Sequence, residues 1–188
     1  MITPTIQMRK FMTKNSTIYK ANLSIADIER DYYGDHQITL ACHPSETTER
    51  MMLRILAFAL NADERLTPAA GMSDADEPDL WLKDLTGAIT LWIEIGQPDE
   101  RRILKACGRS GLVKIYTYGT KPQLWIDSIE SKIAKAKNLS IYSINAVSSK
   151  SLATLAERNM ELQVTKDHDE LWIRSETGSV SVDITHLR

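Results

Sequence analysis

Two carboxylates in the middle of the chain have the residue type and spacing of a metal-binding or phosphate-handling site. Asp79 follows Pro78, and Glu94 lies in the strongest predicted strand, Ile89 to Gly96. If the strands that carry them pair, the two carboxylates converge at one end of a sheet. Convergent carboxylates are hard-oxygen ligands for Mg²⁺ or Mn²⁺, and such an ion binds phosphodiester oxygens and acidifies an attacking water. The alternative is a pair of solvated or ion-paired acids.

Three more charged residues can complete such a site. Glu49 lies on the buried stripe of a predicted helix, so it points toward the sheet and needs an arginine or the same metal as its partner. Arg102 and Lys105 follow Glu94 on polar positions of the next helix, where they can reach a phosphate or a water. The alternative is that this row of cations is only a solvated helix face.

A mixed β-sheet flanked by helices is the fold that the sequence pattern predicts around these residues. The central order is helix, strand, strand, strand, helix, strand, which gives an α/β fold. Alternation at Ser16 to Ala26 and at Gln37 to Cys42 predicts an added N-terminal hairpin whose long connection contains Gly34 and Asp35. Further alternating segments predict C-terminal strands. These are Glu161 to Thr165, Glu170 to Arg174 and Val180 to Ile184.

Helix boundaries and loops are predicted from their punctuating residues. Ser45 is the expected N-cap of the first helix, Pro98 opens the helix after Glu94, and Gly108 ends that helix as a C′ residue. The polar, acidic stretch from Gly71 to Pro78 is expected to be a loop. Residues 1–15 have no clear period and are predicted to form a flexible extension before a single domain, residues 16–188.

Composition limits the class of protein. The chain has 188 residues, 43% apolar and 26% charged, with a net charge of −2, which is typical of a globular domain and argues against a passive coat of nucleic acid. Cys42 and Cys107 form no CxxC pair, and no secretory signal or run of about 18 apolar residues is present. We therefore expect a cytoplasmic protein with no membrane partner, and a monomer by default.

Several blocks of residues recur together, in order and spacing, in a known protein family. They are His43-Pro44-Ser45-Glu46-Thr47 with Glu49-Arg50-Met51-Met52, Asp76-Glu77-Pro78 with Trp81, Trp92-Ile93-Glu94-Ile95-Gly96, and Pro98-Asp99-Glu100-Arg101-Arg102 with Lys105-Ala106. With these blocks the chain resembles the YaeQ family. The resemblance runs from about Thr17 to near the C-terminus and is densest from His43 to Ala106.

The resemblance implies a variant of the PD-(D/E)XK nuclease fold, a restriction-endonuclease-like core. That superfamily uses a strand-borne aspartate, an acidic residue on the next strand and a lysine two positions later. Asp79 and Glu94 match the acids and would hold Mg²⁺ or Mn²⁺, whereas Gly96 stands in the lysine position. In some relatives the lysine has moved to the following helix, where Lys105 or Arg102 could serve. Glu49 resembles an additional acidic residue on the first core helix.

Three functions remain open at this point. The first is a divalent-metal-dependent nuclease that hydrolyses phosphodiesters. The second is a catalytically inactive nuclease-fold module that binds nucleic acid or a protein partner, which Gly96 favours. The third is a structural ion network of Glu49, Glu94, Arg102 and Lys105. Carboxyl oxygens of Asp79 and Glu94 within roughly 3–5 Å would admit one ion, whereas carboxylates held by arginines would indicate the binding module.

Overall fold

A computed structural model of the protein describes residues 16–69 and 76–188, which form four helices and eleven strands. In chain order these are β1 (Thr17–Asp27), β2 (Tyr32–Cys42), α1 (Thr48–Leu60), β3 (Leu66–Pro68), β4 (Leu80–Lys83), β5 (Ile89–Ile95), α2 (Glu100–Arg109), β6 (Ser110–Gly119), α3 (Pro122–Ile133), β7 (Leu139–Asn145), α4 (Ala146–Ala153), β8 (Asn159–Asp167), β9 (Glu170–Arg174), β10 (Ser179–Ser181) and β11 (Ile184–His186). The predicted extension 1–15 and most of the predicted loop from Gly71 lie outside the described residues.

The strands form two mixed sheets, so the prediction of one sheet is wrong. Sheet A has the order β10-β9-β8-β1-β2, and sheet B has the order β11-β7-β6-β5-β4-β3. In sheet A, β1 runs parallel to β8, with Lys20 opposite Asn159. The hairpin and the C-terminal strands therefore build a second sheet together instead of extending the first. No local pattern encodes a pairing between segments so far apart in the chain.

Helix α1 lies between the two sheets. Its residues Met51 to Ala59 are all buried, and their core cluster includes Leu23 and Leu162 of sheet A and Ile93 and Tyr116 of sheet B. A helix that is apolar on every side has to be covered on every side. The run of apolar residues in α1, interrupted only by Arg54, explains why this helix occupies the centre of the fold.

Helices α2 and α3 cover the opposite face of sheet B. Trp92 and Ile115 pack in a second cluster with Ile103 of α2 and Ile129 of α3, whereas the next residues along the same strands face α1. Strands β5, β6 and β7 are parallel, and their two crossover helices lie on the same side. The C-terminal ends of these strands meet at one edge, where the predicted site residues lie.

Several predicted boundaries are corrected. Thr47, not Ser45, is the N-cap of α1, because its side chain accepts the Arg50 N–H. Gly108 lies inside α2, which continues to Arg109 because β6 begins at the next residue.

The two ends of the chain also differ from their predictions. Gly34 and Asp35 lie within β2, and the hairpin turns just before Tyr32. The predicted strand Val180 to Ile184 is two short strands, one in each sheet. None of the described helices is long and apolar enough to cross a membrane.

Candidate functional site

Asp79 and Glu94 lie next to each other at the C-terminal end of β5. Leu80 pairs with Ile93 in the antiparallel β4–β5 ladder, and the Asp79 N–H donates to the Ile93 carbonyl at 3.0 Å. The next position in this register places Asp79 opposite Glu94. Both residues are buried, with 6% and 5% of their surface exposed. The pairing of these strands is therefore as the sequence predicts, and the partners of each carboxylate decide what the site can do.

The Asp79 carboxylate is fully engaged by protein donors. Arg50 of α1 donates through Nη2 to both carboxylate oxygens, at 2.7 and 2.9 Å. The Ile95 N–H donates to Oδ2 at 2.7 Å. Charge-assisted contacts of this kind are short and stronger than neutral hydrogen bonds. Asp79 thereby joins the N-terminal part of α1 to the end of β5.

A four-residue buried ion cluster surrounds this contact. Glu46, whose side chain is fully buried, accepts from Arg50 Nη1 at 2.8 Å and from Arg54 Nη1 at 3.2 Å. Arg54 is 1% exposed, and its Nε lies 3.7 Å from Asp79 Oδ1 without a hydrogen-bond partner among the described residues. Two arginines thus balance two carboxylates, as burial of charge requires. We call Glu46, Arg50, Arg54 and Asp79 the buried ion cluster.

Sequence reasoning missed three of these four residues as site residues. The signal that could have found them is the spacing of Glu46, Arg50 and Arg54, four residues apart, which places charges on one side of the helix and of the turn before it. Arg54 is the stronger signal, because it is the only charged residue from Met51 to Leu60. A charge inside an apolar helix needs a partner from elsewhere in the fold.

Glu94 is held from the other face of the sheet. Trp92 Nε1 donates to Oε1 at 2.7 Å, and Arg102 of α2 donates through Nε to Oε1 at 2.9 Å and through Nη2 to Oε2 at 3.1 Å. Arg102 Nη2 also donates to the Glu77 carbonyl at 2.7 Å. The two carboxylates are therefore bound by arginines from helices on opposite faces of sheet B.

Burial raises the pKa of Glu94, and the nearby Asp79 charge adds to this effect, against the influence of Arg102. A carboxyl whose pKa is raised by folding contributes most to stability below its ordinary value of 4.5, and this contribution is lost as the pH rises through the raised pKa. Glutamine has the shape of the protonated carboxyl. We therefore expect the free energy of unfolding of wild type, minus that of Glu94→Gln, to fall between about pH 4 and pH 8. Urea denaturation at several pH values measures it, and a difference that rises with pH would contradict this expectation.

Two other predicted residues have partners outside this pair. Glu49, on the first turn of α1, is half-buried and accepts a hydrogen bond from Ser149 Oγ at 2.5 Å. Burial raises the pKa of the nearby Tyr118 hydroxyl, and Glu49 adds to this shift. Lys105 forms an exposed ion pair with Asp76. Of the four residues in the predicted ion network, the structure brings Glu94 and Arg102 into contact, and it gives Glu49 and Lys105 other partners.

Gly96, in the lysine position of the superfamily motif, has a backbone requirement of its own. Its φ is +112°, a conformation that side-chain-bearing residues rarely adopt, although an added Cβ would meet no atom within 4 Å. Its N–H donates to the Tyr116 carbonyl at 3.0 Å. Glycine here lets β5 turn sharply toward α2, and a lysine at this position would strain that turn.

The donor set does not suit a divalent ion in this arrangement. Within residues 16–69 and 76–188, no group of three or more His, Cys, Asp or Glu side chains is placed to hold a metal. The Asp79 and Glu94 oxygens that would bind an ion accept hydrogen bonds from Arg50, Arg102, Trp92 and Ile95. What the arrangement does chemically is to neutralise two buried carboxylates and tie three elements together.

Comparison with known proteins identifies the family. The family described as "YaeQ protein" matches residues 12–184. The chain belongs to the YaeQ family. It is 41% identical over 175 residues to "Uncharacterized protein YaeQ" of Escherichia coli strain K12, which covers 93% of this chain and 97% of the relative, and equally similar to the protein of the same description from Shigella flexneri.

Solved structures of YaeQ proteins have the same fold. The YaeQ protein from Xanthomonas axonopodis pv. citri is 39% identical with a TM-score of 0.89, and the match covers 93% of this chain and 99% of that one. The YaeQ protein from Pseudomonas syringae is 33% identical with a TM-score of 0.88, covering 92% and 96%. The YaeQ resemblance inferred from the residue blocks is thereby confirmed, together with a mixed α/β fold.

Proposed function

We propose that this YaeQ-family protein is a PD-(D/E)XK-like module that binds nucleic acid without cleaving it. The observation that carries the proposal is that Arg50 binds Asp79 and Arg102 binds Glu94, in place of a shared metal ion. These are the two carboxylates that the superfamily would use for catalysis. A site whose acids are neutralised by fixed arginines has no open ligand position for an ion.

The energetics of the buried ion cluster support this proposal. An ion between Asp79 and Glu94 would have to displace Arg50 and Arg102 from carboxylates that are almost fully buried. Breaking a buried ion pair typically costs about 3–5 kcal/mol, because it leaves an uncompensated charge. The strained glycine conformation at position 96 adds to the argument, since it excludes a motif lysine from this turn.

A basic outer surface on the same side of sheet B supports nucleic acid as the partner. Between Glu100 and Lys137 the chain has nine lysines and arginines against three carboxylates, although the whole protein has a net charge of −2. Seven of these cations are exposed on or beside α2 and α3. They are Arg101, Lys105, Arg109, Lys121, Lys132, Lys135 and Lys137. We call them the α2–α3 basic face.

The chemistry of this face suits a phosphate backbone better than a base sequence. Lys105 pairs with Asp76, and Lys132 lies 3.2 Å from Glu100, so part of the charge is already compensated within the protein. Clustered lysines and arginines attract phosphates without reading sequence, and the resulting affinity falls steeply with salt. We therefore expect weak, salt-dependent and sequence-independent binding.

Charge reversal tests this surface. We expect Lys132→Glu/Lys135→Glu/Lys137→Glu to bind a labelled 20-mer DNA or RNA at least about tenfold more weakly, and to reduce the salt dependence of binding by about 0.9 per lost contact for a duplex. Fluorescence anisotropy at several salt concentrations measures both. The matched control is Lys20→Glu/Lys150→Glu/Arg174→Glu, which changes the net charge equally at exposed positions outside the basic face.

Two results would overturn the proposal. If wild type binds neither DNA nor RNA at low salt, the partner is a protein and nucleic-acid binding is wrong. If wild type cuts these substrates with added Mg²⁺ or Mn²⁺, and Asp79→Asn or Glu94→Gln abolishes cutting, the protein is the metal-dependent nuclease instead. Calorimetric titration of either ion should show no binding. The amide variants keep the side-chain shape, whereas Asp79→Ala would leave Arg50 and Arg54 unpaired and confuse loss of folding with loss of activity.

A further inference from the structure

A second cleft opens between the two sheets at the other end of α1. Its volume is about 640 Å³, within the range of small-molecule sites. Asp27 and Arg30 line it from the sheet A side, and Lys114 and Tyr142 line it from the sheet B side. The cleft lies at the C-terminal end of α1, whereas the buried ion cluster lies at the N-terminal end. It is therefore separate from the site described above.

Lys114 is a half-buried cation on the wall of this cleft. Its Nζ donates to Asn61 Oδ1 at 2.7 Å, and among the described residues no carboxylate forms an ion pair with it. Asn61 is fixed in this orientation because its Nδ2 donates to the Ala57 carbonyl and to the Tyr116 hydroxyl, each at 2.8 Å. An ammonium has three donors, so two of them remain for a ligand.

Most of the other charges of the cleft have partners inside the protein. Arg30 donates to the Leu60 and Ala62 carbonyls at 3.0 and 2.8 Å and lies 3.8 Å from Asp27. Lys166 pairs with Glu29. Asp183 accepts from Asn145 Nδ2 at 2.7 Å, while Asp169 and His168 lie exposed at the rim. Lys114 is thus the inner cation of the cleft without a carboxylate.

An aromatic row leads from the core to the mouth of the cleft. Buried Tyr116 stacks on half-buried Tyr142 at 5.2 Å between ring centroids, and Tyr142 lies 4.9 Å from the exposed His186 ring. Such a row offers apolar and polarisable surface to a planar group. It stands on the same wall as Lys114, because β6, β7 and β11 are neighbours in sheet B.

From these contacts we propose that the cleft binds a small organic anion with a planar ring, whose phosphate or carboxylate is held by Lys114. Burial lowers the pKa of Lys114, and the nearby Arg30 charge lowers it further, so both act against the charged form. An anionic group beside Nζ would relieve this cost. The ring of the ligand would lie against Tyr142 and His186, and the helix C-terminus with Asn61 would close the inner end.

Calorimetry on the full chain tests the proposal with three probes: adenosine monophosphate, benzoate and inorganic phosphate. We expect at least one ring-bearing probe to bind more tightly than phosphate alone. Lys114→Met keeps most of the aliphatic stem and should weaken that binding by about tenfold or more, the loss expected for a charge-assisted hydrogen bond. Lys166→Met is the matched control, since it removes a cation of the same cleft that already has a carboxylate partner.

The outcome separates this site from the proposed nucleic-acid surface. Oligonucleotide binding should be unchanged in Lys114→Met, so either proposal can fail alone. In wild type, the ring resonances of Tyr142 and His186 should shift on addition of the bound probe, which locates the site even if the variant folds poorly. The proposal is overturned if no ring-bearing probe binds at millimolar concentration, if phosphate binds as tightly, or if Lys114→Met binds like wild type.

Discussion

Replacing Arg54 by methionine is expected to lower the free energy of unfolding by about 3–5 kcal/mol, the cost of leaving buried charges without a partner. Arg54 is 1% exposed and lies between Glu46, at 3.2 Å, and Asp79, at 3.7 Å. Methionine fills much of the same volume but cannot neutralise either carboxylate. The buried ion cluster would then have two acids and one arginine. Urea denaturation followed by circular dichroism measures the loss.

A double variant identifies the cause of this loss. Glu46→Gln/Arg54→Met removes one negative and one positive charge together, so we expect it to be more stable than Arg54→Met alone. Arg109→Met is the surface control, because its side chain is 48% exposed and its removal should change stability by about 0.5 kcal/mol or less. If the double variant is less stable than Arg54→Met, charge compensation is not what Arg54 provides.

Replacing Phe58 by alanine is the second change expected to have a large effect, a loss of about 3–5 kcal/mol. Phe58 is 2% exposed in α1, and its ring meets the His36 ring of sheet A edge-on at 5.3 Å. Because α1 is enclosed by both sheets, little can move in to fill the resulting cavity. For a domain of this size, each kcal/mol lowers the melting temperature by about 2–4 °C.

Two controls accompany this measurement. Phe58→Leu keeps an apolar side chain and should lose less stability than the alanine variant, since less volume is removed. Leu124→Ala removes a side chain from a residue that is 62% exposed and should be close to neutral. A loss under about 1 kcal/mol for Phe58→Ala would contradict the position of α1 as the buried central layer.

The strands around the site could be predicted because their residues alternate locally. The sequence indicated β5 nearly to its observed ends, and the pairing of β4 with β5 places Asp79 beside Glu94. The helix limits were less accurate, since capping depends on which side chain reaches the first free N–H. At α1 this is Thr47, and Ser45 instead lies 2.6 Å from His43 Nδ1.

What the sequence alone determined is the family, the mixed α/β character and the carboxylate pair at the end of β5. These follow from short-range patterns and from blocks of residues with fixed spacing. Only the tertiary structure decided that there are two sheets, since β1 pairs with a strand about 140 residues later. It also decided the state of the pair, because Arg50 and Arg102 come from helices on opposite faces of sheet B. A buried carboxylate requires a cation, but which one it receives depends on packing across the sheet, and that is not written in the local spacing of charges.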